Sequence, residues 1–372
     1  MSTLRAIIID VIDPSKHREE AEKDCAEMVR LVDTLQGIVV VKIIQKRGRP
    51  SASTFLGTGK TEEVSHLVDD LHIDVVICNQ ILKPTQINNL QKIIPCSVWD
   101  RVDIILQIFE RHAHTQEAKL QVQLARLKNE FPRLYGKGIE LSQIVGGKKG
   151  YTRGPGEKLL EQRKRHLRRQ IDQLEEKIQD LKRIRSTQRE QRQRKNFISL
   201  ALVGYTNSGK SSLLVALTKK KNIYIADELF ATLDTRIGHL YLPQIKKKAI
   251  ISDTIGFIQH LPPQLISSFL ATLEETRYAD ILLHVLDASS PDIRQHLTTV
   301  QDILQELGCN EKPVIYVLNK CDLLSQEQRE RIQKEWYDLH PLLVSAKTKE
   351  GLELLKTKIQ KLCNKIAPYG CQ

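Results

Sequence analysis

The nine residues GYTNSGKSS, 204–212, limit the possible folds of this chain more than any other stretch. A loop of the form G-x-x-x-x-G-K-[ST] can wrap its N–H groups around phosphates only under one condition. It must leave a buried strand and open a helix, whose N-terminus adds partial positive charge. Both flanks are present: ISLALV, 198–203, reads as an apolar strand, and SSLLVALTKK reads as the helix that follows. A parallel α/β sheet supplies such joints. Gly204, Gly209, Lys210 and Ser211 complete the motif. Lys210 is expected to reach the β- and γ-phosphates and the Ser211 hydroxyl to bind Mg²⁺. Tyr205, Thr206, Asn207, Ser208 and Ser212 make up the rest of the candidate cradle.

A second stretch, FLGTGKTEE at 55–63, imitates this loop. Five residues before Gly59 stands Thr54 instead of glycine, and the polar run QKRGRPSAST precedes it where a strand is needed. The expectation is a structural glycine turn feeding a helix from about Thr61, with Glu62 and Glu63 suiting the positive first turn. The alternative is a weak secondary phosphate contact.

Further short elements follow the first loop in order. LFATLDTR, 229–236, offers Phe230, Ala231, Thr232, Leu233 and Asp234, with Thr232 as a second hydroxyl for Mg²⁺. AIISDTIGF, 249–257, gives D-x-x-G: Asp253 would act on the metal through water, Thr254 and Ile255 follow, and the Gly256 N–H would sense the γ-phosphate. VIYVLNKCDLL, 314–324, is a strand ending in Asn319, Lys320, Cys321 and Asp322. The Asp322 carboxylate can pair with the N1–H and exocyclic amine of guanine, a donor pair that adenine lacks, so the element selects GTP over ATP. Lys320 would pack on the base plane. LLVSAK, 342–347, ends in Ser345, Ala346 and Lys347, whose backbone suits the guanine O6. Together these predict a P-loop GTPase domain with Lys210, Thr232 and Gly256 as its catalytic groups. Where Ras-like enzymes carry a water-orienting glutamine after the D-x-x-G glycine, this chain carries Phe257. Intrinsic hydrolysis should therefore be slow unless another group or a partner positions the water.

Upstream, the sequence divides in two. Residues 1–115 alternate apolar strands (RAIIIDVI, GIVVVKIIQ, IDVVICN) with amphipathic helices, the pattern of a small parallel α/β domain. Residues 116–195 read as a helical hairpin. One helix, 116–133, has Leu120, Leu124 and Leu127 at coiled-coil spacing; the other, 157–194, carries a stripe of Leu160, Leu167, Ile171, Leu174, Ile178 and Leu181. Between them the segment 136–156 holds seven glycines and the cations Lys137, Lys148, Lys149 and Arg153. It is expected to be a long functional loop. Residues 151–196 contain 15 Lys and Arg against 7 Asp and Glu, so they hold eight of the chain's net +12 charges. That concentration, nearly free of aromatics, favours RNA as a partner over an anionic membrane or a plain solvated face. No apolar run reaches 18 residues, and the N-terminus lacks the pattern of a signal peptide. Seven scattered cysteines without a C-x-x-C pair suggest reduced thiols in a cytoplasm, with neither a disulfide frame nor a zinc site.

Taken together, DRVDIILQIFERHAHTQEAKLQVQLA (100–125), RGPGE (153–157), LVGYTNSGKSSL, LFATLD, DTIGFIQHLPPQLISSFLATLEET, NKCD and SAK resemble the HflX family of ribosome-associated GTPases over nearly the whole chain. The resemblance implies three parts: an N-terminal α/β domain (1–115), an antiparallel helical hairpin (116–195) and a doubly wound P-loop GTPase domain (196–372). It further implies a protein that is monomeric when free and binds the large ribosomal subunit. There its N-terminal domain and hairpin would reach rRNA near the peptidyl-transferase centre, and its GTP form would split ribosomes. ATP binding attributed to the family's N-terminal region keeps the 57–61 look-alike in play. The chain also departs from the family. KLLEQRKR follows RGPGE, more basic than usual; Thr235 and Arg236 stand where Pro-Thr is usual; and Gln372 follows the last switch-domain helix closely where many members continue into a further small domain. The alternatives are a GTP-regulated RNA-binding module with negligible turnover and an ATP-driven RNA remodeller.

Overall fold

The strand RAIIIDVI becomes β1 (Arg5–Ile12), and it is buried at every position after Arg5. Near-continuous burial of this kind marks a parallel strand covered on both faces. The computed structural model describes residues 3–15, 18–144, 155–194, 197–218, 229–230, 232–234, 236–243, 247–259, 265 and 273–366. They belong to two compact units: Met1–Gln179 with Pro262–Ser268, and Asp180–Leu261 with Phe269–Gln372.

In the first unit, β2 (Ile38–Lys46), β1, β3 (Val75–Cys78) and β4 (Ser97–Trp99) form a parallel sheet in that order. One face packs Ile7, Ile9 and Val76 against Val64 and Val68 of α2 (Thr58–Asp70) and Ile87 and Leu90 of α3 (Pro84–Ile93). Helices α1 (Arg18–Thr34) and α4 (Arg101–His112) complete the unit's α/β pattern. Asp100 caps α4, accepting from the N–H groups of Val102 at 2.9 Å and Asp103 at 3.1 Å.

The GTGK stretch differs from expectation in one detail. Helix α2 opens at Thr58, three residues early, with Gly57 as an extended N-cap. Glu62 and Glu63 therefore fall in the second turn, and Lys60 spends its ammonium on Glu63 at 2.6 Å. The strongly buried Phe55 and Leu56 pull the chain into the core just before this start, which fixes where the helix can begin.

Helix α5 (Gln116–Ile144) leads into the hairpin and is tied to the start of α4 by Arg133, which reaches Asp103 at 2.9 Å and Asp100 at 3.3 Å. Helix α6 (Pro155–Arg194) returns antiparallel: Lys128 meets Glu175 at 2.7 Å, and Arg168 lies over the Phe131 ring at 5.6 Å. Leu124, Leu174 and Ile178 form the seam, with Leu120, Leu127 and Ile171 packed beside them. The expected loop 136–156 is shorter than the sequence suggested, because α5 runs through Pro132, Gly136 and Gly138 to Ile144. Each helical glycine costs about 1 kcal/mol relative to alanine. The apolar positions Leu134, Leu141 and Ile144 keep the helical period going past them. Lys137 thus lies on α5, whereas Lys148, Lys149 and Arg153 lie outside the described residues.

In the second unit, six strands run in the order β10 (Leu342–Leu343), β9 (Val314–Asn319), β8 (Ile281–Asp287), β5 (Ile198–Val203), β7 (Lys247–Asp253) and β6 (Arg236–Leu242). All neighbours are parallel except β6 and β7. One face of this sheet packs on α7 (Lys210–Thr218) and on the helix Leu352–Ile366 through Leu213, Leu217, Leu355 and Ile359. The loops after β5, β7, β9 and β10 leave the carboxyl ends of these strands, and the segment 229–234 enters β6 beside the carboxyl end of β7, the edge where ligands bind open α/β sheets.

Candidate nucleotide site

The first loop leaves β5 and enters α7 with no room for side chains at its two glycines. A Cβ on Gly204 would stand 2.2 Å from the Val285 carbonyl, and one on Gly209, whose φ is +88°, would stand 2.1 Å from Asn319 Nδ2. Asn207 also takes a left-handed φ of 60°. The curl turns the Lys210 ammonium back onto the loop, where it donates to the carbonyls of Gly204 at 3.1 Å and Tyr205 at 2.8 Å. Burial pushes the Lys210 pKa down to about 8, opposed by the Asp253 carboxylate. The Thr206 and Ser208 hydroxyls are buried without partners among the described residues. Orphaned polar groups of this kind usually point to a missing ligand or water.

Three expected metal ligands converge. Ser211 Oγ lies 2.6 Å from Asp253 Oδ2 and 2.8 Å from Thr232 Oγ1, and Thr232 Oγ1 lies 3.2 Å from the same carboxylate oxygen. Asp253 is fully buried, its Oδ1 is unsatisfied, and burial raises its pKa against the pull of Lys210. Two hydroxyls around a buried carboxylate with a spare oxygen form an all-oxygen donor set, the kind Mg²⁺ prefers.

D-x-x-G is stitched onto the first loop. Thr206 N–H donates to the Phe257 carbonyl at 2.7 Å, Phe257 N–H donates to the Gly204 carbonyl at 3.1 Å, and Gln259 N–H donates to Tyr205 Oη at 2.8 Å. A Cβ on Gly256 would meet Thr206 Cα at 2.8 Å and Lys210 Nζ at 3.0 Å, so this glycine lies against the cradle. The Phe257 side chain is fully buried.

The two base-side loops meet at Asn319. Its Nδ2 donates to the Ser208 carbonyl at 2.9 Å, and its Oδ1 accepts from Ala346 N–H at 3.0 Å. Ser345 Oγ donates to Asp322 Oδ1 at 2.6 Å, and Lys320 pairs with Asp287 at 2.7 Å. Burial raises the Cys321 thiol to about 11, which keeps it protonated and unreactive.

Several expected contacts can be made only by backbone. Thr254 Oγ1 donates to the Leu202 carbonyl at 2.7 Å, and Phe230, Leu233 and Ile255 are buried side chains. Tyr205 turns away from the loop to stack on His296 at 3.8 Å. Ser212 follows Ser211 on α7, Asp234 is half-buried and Lys347 is exposed, while Ala231 lies outside the described residues. Sequence reasoning missed the roles of Asp287 and His296, which belong to no motif and reach the site only through the fold.

Three family models cover most of the chain: GTP-binding GTPase N-terminal at 22–110, GTP-binding GTPase Middle Region at 112–192 and 50S ribosome-binding GTPase at 199–320. The GTPase HflX of Alkalihalophilus pseudofirmus is 42% identical over 95% of this chain and 82% of its own length. The chain belongs to the HflX family of GTPases. The Escherichia coli HflX is 34% identical over 93% of this chain and 81% of its own length. A crystal structure of SsGBP in complex with GDP matches 98% of this chain and 99% of its own, at 26% identity and a TM-score of 0.53. As an HflX-family enzyme, the protein binds guanine nucleotide in its P-loop domain and hydrolyses GTP to GDP and phosphate. Among the described residues no helix is long and apolar enough to cross a membrane.

Proposed function

We propose that the protein is a cytoplasmic nucleotide switch, monomeric when free. In this reading it binds the large ribosomal subunit and its rRNA through the first unit and the α5–α6 hairpin, hydrolyses GTP slowly until that partner is engaged, and splits or rescues ribosomes. Phe257 carries this reading. Its side chain is sealed in the core and its backbone is tied to the cradle, so nothing at that position can orient a water. The stimulus must come from another group, and a large RNA partner is consistent with the exposed Arg163, Arg165, Arg168 and Arg169 on α6. The family model that matches 199–320 is described as a 50S ribosome-binding GTPase, which points to the same partner.

Within the site, Asp322 would read guanine and Lys210 would bind the β- and γ-phosphates. Ser211, Thr232 and, through water, Asp253 would hold Mg²⁺. The ion would neutralise charge on the phosphate oxygens; the unsatisfied Asp253 Oδ1 beside two hydroxyls fits that demand. The Gly256 N–H would face the γ-phosphate. Lys210 and the backbone of the first loop would orient the chain of phosphates, while buried Phe257 keeps the floor of the site dry.

GTP turnover measured with and without purified large subunits tests the proposal. A rise of several-fold or more on adding subunits is expected. Equal rates would leave only a nucleotide-regulated binder, and binding that is indifferent to GTP or GDP would remove the switch as well.

A further inference from the structure

We propose that Arg329 and Glu350 form a latch that aims the Asp322 carboxylate at guanine, making them positioning residues for base selectivity. The inference rests on the assignment of Asp322 and Ser345 to the base.

The helix Gln326–Glu335 starts four residues after Asp322, and its start is fixed by a reciprocal cap. Ser325 Oγ accepts from Gln328 N–H at 3.3 Å, and Gln328 Oε1 accepts from Ser325 N–H at 2.9 Å. One turn in, Arg329 reaches back. Its Nη2 donates to the Cys321 carbonyl at 2.8 Å, and its Nη1 donates to Glu350 Oε1 at 2.7 Å. Glu350 belongs to the other base-side loop, where its own carbonyl accepts from Ser345 N–H at 3.0 Å. Ser345 Oγ then closes the circuit on Asp322 at 2.6 Å. A single guanidinium therefore joins two loops that the sequence places more than twenty residues apart.

The Cys321 carbonyl belongs to the peptide bond that precedes Asp322. Holding it fixes the plane of that peptide, and with it the direction in which the Asp322 side chain leaves the backbone. The turn needs such a hold because Lys320, just before it, is in a left-handed conformation with φ 62°. Leu324 N–H takes the carbonyl's other lone pair at 3.1 Å, which sets the turn but not its tilt toward the second loop. Stability does not account for the latch. Arg329 is 23% and Glu350 49% exposed, and ion pairs in such positions contribute little. Arg329 Nε is moreover buried without an acceptor among the described residues. What the planar guanidinium supplies is geometry: two donors in a fixed fork, one for each loop.

The test uses the full chain and measures binding of GDP and of inosine diphosphate, which lacks the 2-amino group. The variants are Arg329→Met, Glu350→Gln and, as a control on the base assignment, Asp322→Asn. Losing the latch should raise the GDP Kd about tenfold, and the inosine diphosphate Kd by only about threefold, because a misaimed carboxylate loses the bidentate pair first. Glu350→Gln, at a half-exposed position, reads the latch from its other end should Arg329→Met fail to fold, and should move the same ratio in the same direction. Arg329→Lys, which can keep one contact but not both, should fall between wild type and Arg329→Met. If the folded latch variants bind both nucleotides as wild type does, or lose both equally, while Asp322→Asn turns to xanthosine diphosphate, the latch is wrong and the base assignment stands. If Asp322→Asn keeps its preference for guanine, the base assignment falls and the latch falls with it.

Discussion

Replacing Asn319 by alanine should weaken GDP binding by orders of magnitude while leaving the protein folded. The side chain is 1% exposed and spans two loops, donating to the Ser208 carbonyl and accepting from Ala346 N–H. Alanine leaves one backbone acceptor and one backbone donor without partners. An orphaned buried group costs about 1–3 kcal/mol. Ala346 is only half-buried, so water can recover part of its share, and the sum is roughly 2–4 kcal/mol. Nucleotide would sit against both loops and need them held in this arrangement, so the cost carried into binding should raise Kd by about 30-fold or more, up to about 1,000-fold. Asn319→Asp should be no better than alanine. One carboxylate oxygen can still accept from Ala346, but the other would oppose the Ser208 carbonyl and bring a buried negative charge toward the phosphates. Titration calorimetry with GDP and Mg²⁺, paired with a thermal melt, separates binding from folding. A GDP Kd within about threefold of wild type for Asn319→Ala would refute the reasoning, because the strut would then matter to neither loop.

Three further outcomes follow from the same geometry. Ser211→Ala should lose the Mg²⁺ dependence of GDP affinity, because an octahedral ion tolerates a missing ligand poorly; equilibrium titrations with and without Mg²⁺ that still differ as in wild type would reject that ligand. Neutralising Lys148, Lys149 and Arg153 together should weaken large-subunit binding and flatten its salt dependence by about one unit of slope per lost phosphate contact, with GTP affinity unchanged; sedimentation across a salt series reads this. Lys60→Ala should leave GTP turnover and GDP affinity as they are, since its ammonium is engaged by Glu63 on the surface of α2, and a tenfold loss in either would restore the GTGK stretch as a nucleotide contact.

What the sequence made legible was periodic or spaced by chemistry. The strand before Gly204 and β1 were legible as near-continuous apolar runs, and the stripe of Leu167, Leu174 and Ile178 as burial at the helical period. The proposed metal ligands Ser211, Thr232 and Asp253 lie 42 residues apart at the extremes, yet they meet within 3.2 Å because each leaves or neighbours the carboxyl end of a central strand. Less legible were features decided by tertiary packing. Glycine weight at 136 and 138 suggested a loop, but two local penalties do not stop a helix whose apolar period continues. The start of α2 moved because Phe55 and Leu56 are core residues, which no capping signal announces. Asp287 became the partner of Lys320 only because β8 lies beside β9.

The seam between Phe257 and the first loop bears on how the enzyme can be switched on. In a switch segment that swings freely, a partner could supply activation by ordering the segment. Here the start of that segment is already ordered: two backbone bonds, which together make an isolated parallel bridge, join Phe257 to residues 204–206, and the ring is fully buried. Gly256 is thereby held against Thr206 and Lys210 of the first loop. Ordering this region further would add little, and the Phe257 side chain cannot hydrogen-bond a water. The missing element is therefore a polar group from outside the seam, supplied either by a later part of the same chain or by the bound partner. A group borne by the partner would make turnover rise on binding, whereas one from the same chain would leave turnover unchanged, so rates with and without large subunits separate the two sources.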